Sequence, residues 1–137
     1  MGRINSRRKG ATGEREFCDW LFKNFTEVIE KPKRNLLQVR EGGADIICPP
    51  FMFEIKRTEK VNLTAFWFQV KKATIKYIES GADGCEFLIP VVAFRQNNKP
   101  WKFLIGAEYI GVETGFLEIT ERVFIKFAKQ QFESFKK

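Results

Sequence analysis

Asp45, Glu54 and Lys56 are the residues whose types and spacing carry chemistry in this chain. They lie in residues 42–57, where two apolar runs, 44–48 and 51–57, flank Pro49-Pro50. Paired prolines cannot continue a central strand, so the stretch predicts a hairpin that turns at them. An even-length turn centred there pairs Cys48 with Phe51, Ile47 with Met52, Ile46 with Phe53 and Asp45 with Glu54. Two carboxylates then stand directly opposite each other. Strand side chains alternate faces, so Glu54 and Lys56 share the face of Asp45, while Phe53, Ile55 and Arg57 take the other. Opposed like charges destabilise a sheet unless positive charge lies between them, and a divalent cation on hard carboxylate oxygens supplies it. That is the chemistry of a metal-dependent phosphodiesterase. The bland alternative is a solvated charged face.

A further carboxylate comes from the first predicted helix, residues 6–28, in which Phe17, Leu21, Phe25 and Val28 repeat at helical spacing with Trp20 beside them. Ser6 is a possible N-cap, although Gly10 and Gly13 weaken the first turns and a start near Thr12 fits equally well. Either way Glu14, three residues before Phe17 and seven before Leu21, falls on the apolar stripe, and Arg15 points elsewhere. The helix dipole alone can explain an acid in a first turn. Asp45 and Glu54 give a second explanation, a shared site.

Composition narrows the chemistry. The 137 residues contain no histidine, which removes the usual general base, the usual zinc ligand and every triad built on imidazole. Catalysis would have to use carboxylates, Lys, Tyr, Cys or metal. The net charge of +7 suits a polyanionic partner. Length and a 44% apolar content predict one packed domain spanning residues 1–137, and no apolar run approaches the roughly 20 residues of a membrane span. The basic N-terminus, with no apolar stretch after it, predicts a cytoplasmic protein. Cys18, Cys48 and Cys85 are odd in number and widely spaced, which favours buried thiols over a disulfide frame or zinc site.

The remaining elements must position these residues. Residues 35–40 predict a strand ahead of the Gly42-Gly43 turn. After the hairpin, Asn62 or Thr64 can cap a helix running to about Ser80, with Phe66, Val70, Ala73 and Tyr77 on one side, a basic element in Lys71, Lys72 and Lys76, and Gly81 at its end. Residues 86–95 predict a strand that Pro90 demotes towards an edge or a bulge. Residues 96–99 are a turn, 101–106 the returning strand, 110–119 ambiguous, and 121–137 an amphipathic helix. The sum is α/β, a mixed sheet with an antiparallel hairpin and further strands, flanked by helices.

Asp45 followed by Glu54-Ile55-Lys56 resembles the PD-(D/E)xK nuclease pattern. Lys9-Gly10-Ala11-Thr12-Gly13-Glu14-Arg15-Glu16 is similar to the opening of archaeal-type Holliday-junction resolvases, and the likeness continues through Val39-Arg40, Ile89-Pro90-Val91 and residues 100–105. It covers about residues 7 to 110 and implies a restriction-endonuclease-like fold. The resemblance implies magnesium, with manganese able to substitute, on Glu14, Asp45 and Glu54, and Lys56 positioning the attacking water. It places Gln69 where related nucleases carry a glutamine that orients Lys56 or the water. It also implies phosphate contacts by Arg15 and Arg40. Arg7, Arg8 and Lys9 form a basic arm that follows the backbone or is simply solvated.

Three functions compete: a magnesium-dependent endonuclease that resolves four-way branched DNA, a nuclease of the same chemistry for nicked, flapped or foreign duplex DNA, and a DNA-binding module without catalysis. Junction resolution needs two cuts related by a two-fold axis, and so predicts a symmetric homodimer. Fifteen Phe, three Trp and two Tyr exceed what one small core requires, and Trp67, Phe68 and the Phe-rich last helix are the expected interface.

Overall fold

The structure is a computed structural model that describes residues 2–27, 46–81 and 87–136, with side chains described from Thr12 to Phe135 within those ranges. The chain is α/β. Helix α1 (Gly2–Phe25) precedes a hairpin of β1 (Ile46–Cys48) and β2 (Phe51–Arg57), followed by α2 (Leu63–Glu79), β3 (Ile89–Arg95), β4 (Lys102–Gly106), a 3₁₀ turn (Ala107–Ile110), β5 (Phe116–Thr120) and α3 (Glu121–Lys136). The five strands among the described residues lie in the order β1-β2-β3-β4-β5. Among the described residues only β2 and β3 pair parallel, and α2 makes the crossover between them. The predicted strand at 35–40 lies outside the described residues.

The hairpin has the register that the prolines dictate: Cys48 opposite Phe51, Ile47 opposite Met52 and Ile46 opposite Phe53. Alternation then sorts β2 between two layers. Phe51, Phe53 and Ile55 join Phe17, Leu21 and Phe25 of α1 and Phe124 and Phe132 of α3 in one core. Met52 turns to the other face and packs with Ala73 of α2. Helices therefore cover both faces, α1 and α3 on one and α2 on the other.

Two expectations fail for physical reasons. Pro90 sits in a central strand, not at an edge or bulge, in register with Met52. The Ile89 amide donates towards β2, to the Pro50 carbonyl at 2.7 Å, so the next residue's nitrogen faces the β4 side. There β4 pairs only with Val92, Ala93 and Phe94, and a missing N–H at Pro90 leaves no ladder bond unmade. The aromatic excess is also mostly consumed inside. Trp67 is buried against Phe116, and Phe124 and Phe132 belong to the core, so of the expected interface only Phe68 and Phe135 stand out as exposed rings.

Local signals set the helix ends. The Asn62 side chain accepts from the Ala65 amide at 3.1 Å, and Gly81 takes φ 71° just past the other end of α2. Helix α3 follows β5 directly. Its Glu121 accepts from the Trp101 backbone amide at 2.9 Å, tying its first turn to the start of β4. Glycine does not break α1 at position 13, because the helix approaches β2 so closely there that a Cβ would lie 3.0 Å from Cβ of Arg57.

Candidate functional site

The face of β2 beneath α2 should be uniformly apolar, since it is covered. Instead Glu54 follows Met52 on that face with only 1% of its surface exposed. Two neighbours make this tolerable. Gln69 of α2 donates from Nε2 to Glu54 Oε1 at 2.8 Å. Lys56, two residues along the same face, brings Nζ to 3.6 Å of the same oxygen. Burying a carboxylate is costly unless it is hydrogen-bonded and charge-paired, and this one is both.

Lys56 is held in turn. Its ammonium lies 5.6 Å from the Phe66 ring centroid, and Phe66 packs on Phe94, the residue in register with Lys56 on β3. The stem is thereby laid along aromatic surface and the head, with 26% of the side chain exposed, stays open to solvent. The result is a fixed carboxylate, a cation that a solute can reach, and an amide that limits the carboxylate's rotation. Sequence spacing predicted that Glu54 and Lys56 share a face, and the resemblance supplied Gln69; the structure brings all three together.

Glu14 is also buried, 6% exposed, on the α1 stripe with Phe17, Cys18 and Leu21. That stripe faces the layer opposite to Glu54. The two carboxylates therefore approach from the two sides of the sheet, and can serve one ion only around its β1 edge. Asp45, the residue before β1, lies outside the described residues, as does Arg40. Among the described residues no three His, Cys, Asp or Glu side chains cluster closely enough to hold a metal. Arg15 is exposed, as its helical position requires, and Arg7, Arg8 and Lys9 lie in α1 with their side chains outside the described set.

A second polar cluster was not anticipated. Glu16 Oε2 accepts from Arg57 Nε at 3.0 Å and from Arg95 NH1 at 3.3 Å. Arg57 also donates to Asn97 Oδ1 at 3.1 Å, and Arg95 donates to the Lys99 carbonyl at 2.8 Å and lies over Trp101. These bonds fasten α1 to the ends of the parallel pair β2 and β3. The signal that could have exposed it was available: alternation puts Arg57 on the face of Phe53 and Ile55, where a guanidinium needs a partner.

Cys48 and Cys18 are not disulfide-bonded and are buried close enough to interact, in the layer away from Glu54. Burial pushes the Cys48 thiol up to about 11, and the neighbouring Cys18 adds to the shift. Neither is a ready nucleophile. Cys85 lies outside the described residues. No helix among the described residues is long and apolar enough to cross a membrane. No protein-family model, curated protein or solved structure matches the chain.

Proposed function

We propose that this protein is a divalent-metal-dependent endodeoxyribonuclease of the PD-(D/E)xK type that cuts branched DNA. The observation that carries this reading is the arrangement on β2: Glu54 sealed under α2, Lys56 beside it on the same face, and Gln69 bonded to the carboxylate. The first three pairs of the hairpin register are those from which an Asp45–Glu54 pairing follows.

Glu14, Asp45 and Glu54 would hold the metal, magnesium or manganese. The donors fit: they are carboxylate oxygens, hard ligands that suit a hard cation, and no imidazole or thiolate stands beside Glu54 to favour a softer one. When bound, such an ion supplies Lewis-acid stabilisation of charge on a phosphodiester, which this histidine-free chain has few other means to provide. The chain's own groups do the rest. Gln69 holds one oxygen of Glu54, so the carboxylate keeps a single orientation towards substrate. Lys56 presents a preorganised positive charge where a phosphate would lie, and can hold a water beside it. The net charge of +7 favours approach of DNA, with Arg7, Arg8, Lys9, Arg15 and Arg40 as candidate backbone contacts.

Two copies in a symmetric dimer would make paired cuts on a four-way junction. Incubating the protein with matched junction, flap and linear DNA in magnesium tests both parts of the reading. Symmetric paired cuts in the junction are expected, lost with chelator and lost in a Lys56→Ala variant that still binds DNA. Absence of cutting on all three substrates in magnesium and in manganese would refute the enzyme. Single unpaired nicks would refute the dimer alone.

A further inference from the structure

The outer face of α2 has the wrong composition for a helix that only covers a sheet. Phe66, Trp67, Val70, Ala73 and Thr74 are its buried side, which leaves Phe68 and Ile75 in line, two turns apart, on the opposite side. Phe68 is 68% exposed and Ile75 52%. Lys72 lies between them and Lys71 and Lys76 flank them, all exposed, and the helix holds no acidic residue before Glu79. An apolar pair set among cations calls for a partner that is anionic and yet offers apolar surface.

Charge decides which partner. A second copy meeting this face across a two-fold axis would set lysine against lysine, in a chain that already carries +7. Intact duplex DNA offers phosphates to the lysines, but its base faces are stacked away and give Phe68 nothing. A strand whose bases are unstacked offers both, since any base has a face for an aromatic ring and phosphates at either side. Phe68 precedes Gln69, which holds Glu54, and consecutive helical side chains point about 100° apart, so a base on Phe68 lies round the helix from that carboxylate, with the strand passing over α2 to reach it.

We propose that Phe68 is a stacking platform for an unpaired base of the strand that enters the Glu54 site, with Lys71 and Lys72 on the flanking phosphates. The substrate class is then DNA in which a strand leaves the duplex beside the cut. This deepens the nuclease reading and rests on it for the position of the scissile phosphate.

Binding without divalent metal separates the two ideas, because nothing can then be cut. The probe is a flap oligonucleotide with 2-aminopurine at unpaired positions next to the branch, set against a flush duplex of equal length. The full-length chain should quench the 2-aminopurine. Phe68→Ala should abolish the quenching and weaken flap binding about tenfold, leaving duplex binding within about twofold, while Phe68→Trp restores both signals. An unchanged thermal melt of Phe68→Ala, expected for so exposed a ring, confirms that the variant folds. Equal losses on flap and duplex, or no loss on either, would overturn the platform. So would unchanged flap binding accompanied by lost self-association in sedimentation, or by lost binding to anionic vesicles; these assign the face to a second copy or to a membrane. If Phe68 stacks the base but the protein cuts no DNA in magnesium or manganese, the platform stands and the nuclease reading falls.

Discussion

The two faces of the sheet are built to different rules. Under α1 and α3, eighteen of the described residues are buried in one continuous core, dominated by rings: Phe103 and Phe124 stack at 4.1 Å, and Phe17 meets Phe53 edge-on at 4.9 Å. Under α2 the buried apolar residues among those described form two separate clusters of six and three, with Val92 in the first and Met52 in the second. Glu54 is what lies between, on the strand of Met52 and in register with Val92. Dense aromatic packing on one side supplies stability that lets the other side give up contiguous core for a buried charge. On the dense side Glu16, Arg57 and Arg95 sit at the rim and close on one another, and among the described residues Glu14 is the one carboxylate buried within that layer.

Substitutions on each face should separate stability from activity. The largest effect is expected from Phe124→Ala, which removes a fully buried ring from the centre of the dense face. Chemical denaturation should show a loss of about 3 to 5 kcal/mol, with DNA cleavage per folded molecule unchanged. Next is Glu54→Gln, which preserves shape and should lower cleavage at least about a hundredfold in a protein that melts within a few degrees of wild type. A stability loss matching that of Phe124→Ala would erase the division between the faces.

The smallest effect concerns Cys48 on the dense face. Its thiol is raised to about 11 in the folded state, against 9.0 for the free group, because burial disfavours the thiolate. The unfolded chain therefore loses this proton first as pH rises. The Cys48 contribution is constant below pH 9 and falls as pH climbs from 9 towards 11, by up to about 2 kcal/mol. Comparing alkaline denaturation of wild type with Cys48→Ala isolates it. Identical pH profiles would mean that water reaches the thiol and that the dense face is less closed than its packing indicates.

Sequence revealed the hairpin register because Pro49-Pro50 leaves few ways to turn, and from it the common face of Glu54 and Lys56. The Asn62 cap and Gly81 bounded α2 for equally local reasons. What depends on neighbours was not legible. Pro90 looks like an edge residue until one knows that the pairing of β3 with β4 stops at Val92, before reaching it. Residues 116–120 are ambiguous in isolation and become a strand by pairing with β4 from Lys102 to Gly106. Trp67 falls off the simplest helical stripe yet is buried, because Phe116 of that fifth strand comes to meet it. The Glu16 cluster joins residues some 41 and 79 positions apart, a separation that no local pattern encodes.

Gly13 sets a clearance. With a Cβ there only 3.0 Å from Cβ of Arg57, the helix rests on the strand through a hydrogen atom where any other residue would interpose a carbon. The opposing atom is the root of the arginine side chain, which cannot swing aside as a tip can. A methyl inserted at this point would act as a shim under the middle of a beam. The helix continues for twelve residues to Phe25, roughly 18 Å, so a lift of a few tenths of an ångström becomes a tilt about the well-packed far end. Glu14 and Glu16 stand beside the shim and are lifted with it, and Phe25 stands at the pivot, where the displacement is least. One missing side chain thus acts as the gauge for the height at which a carboxylate-bearing helix crosses the sheet.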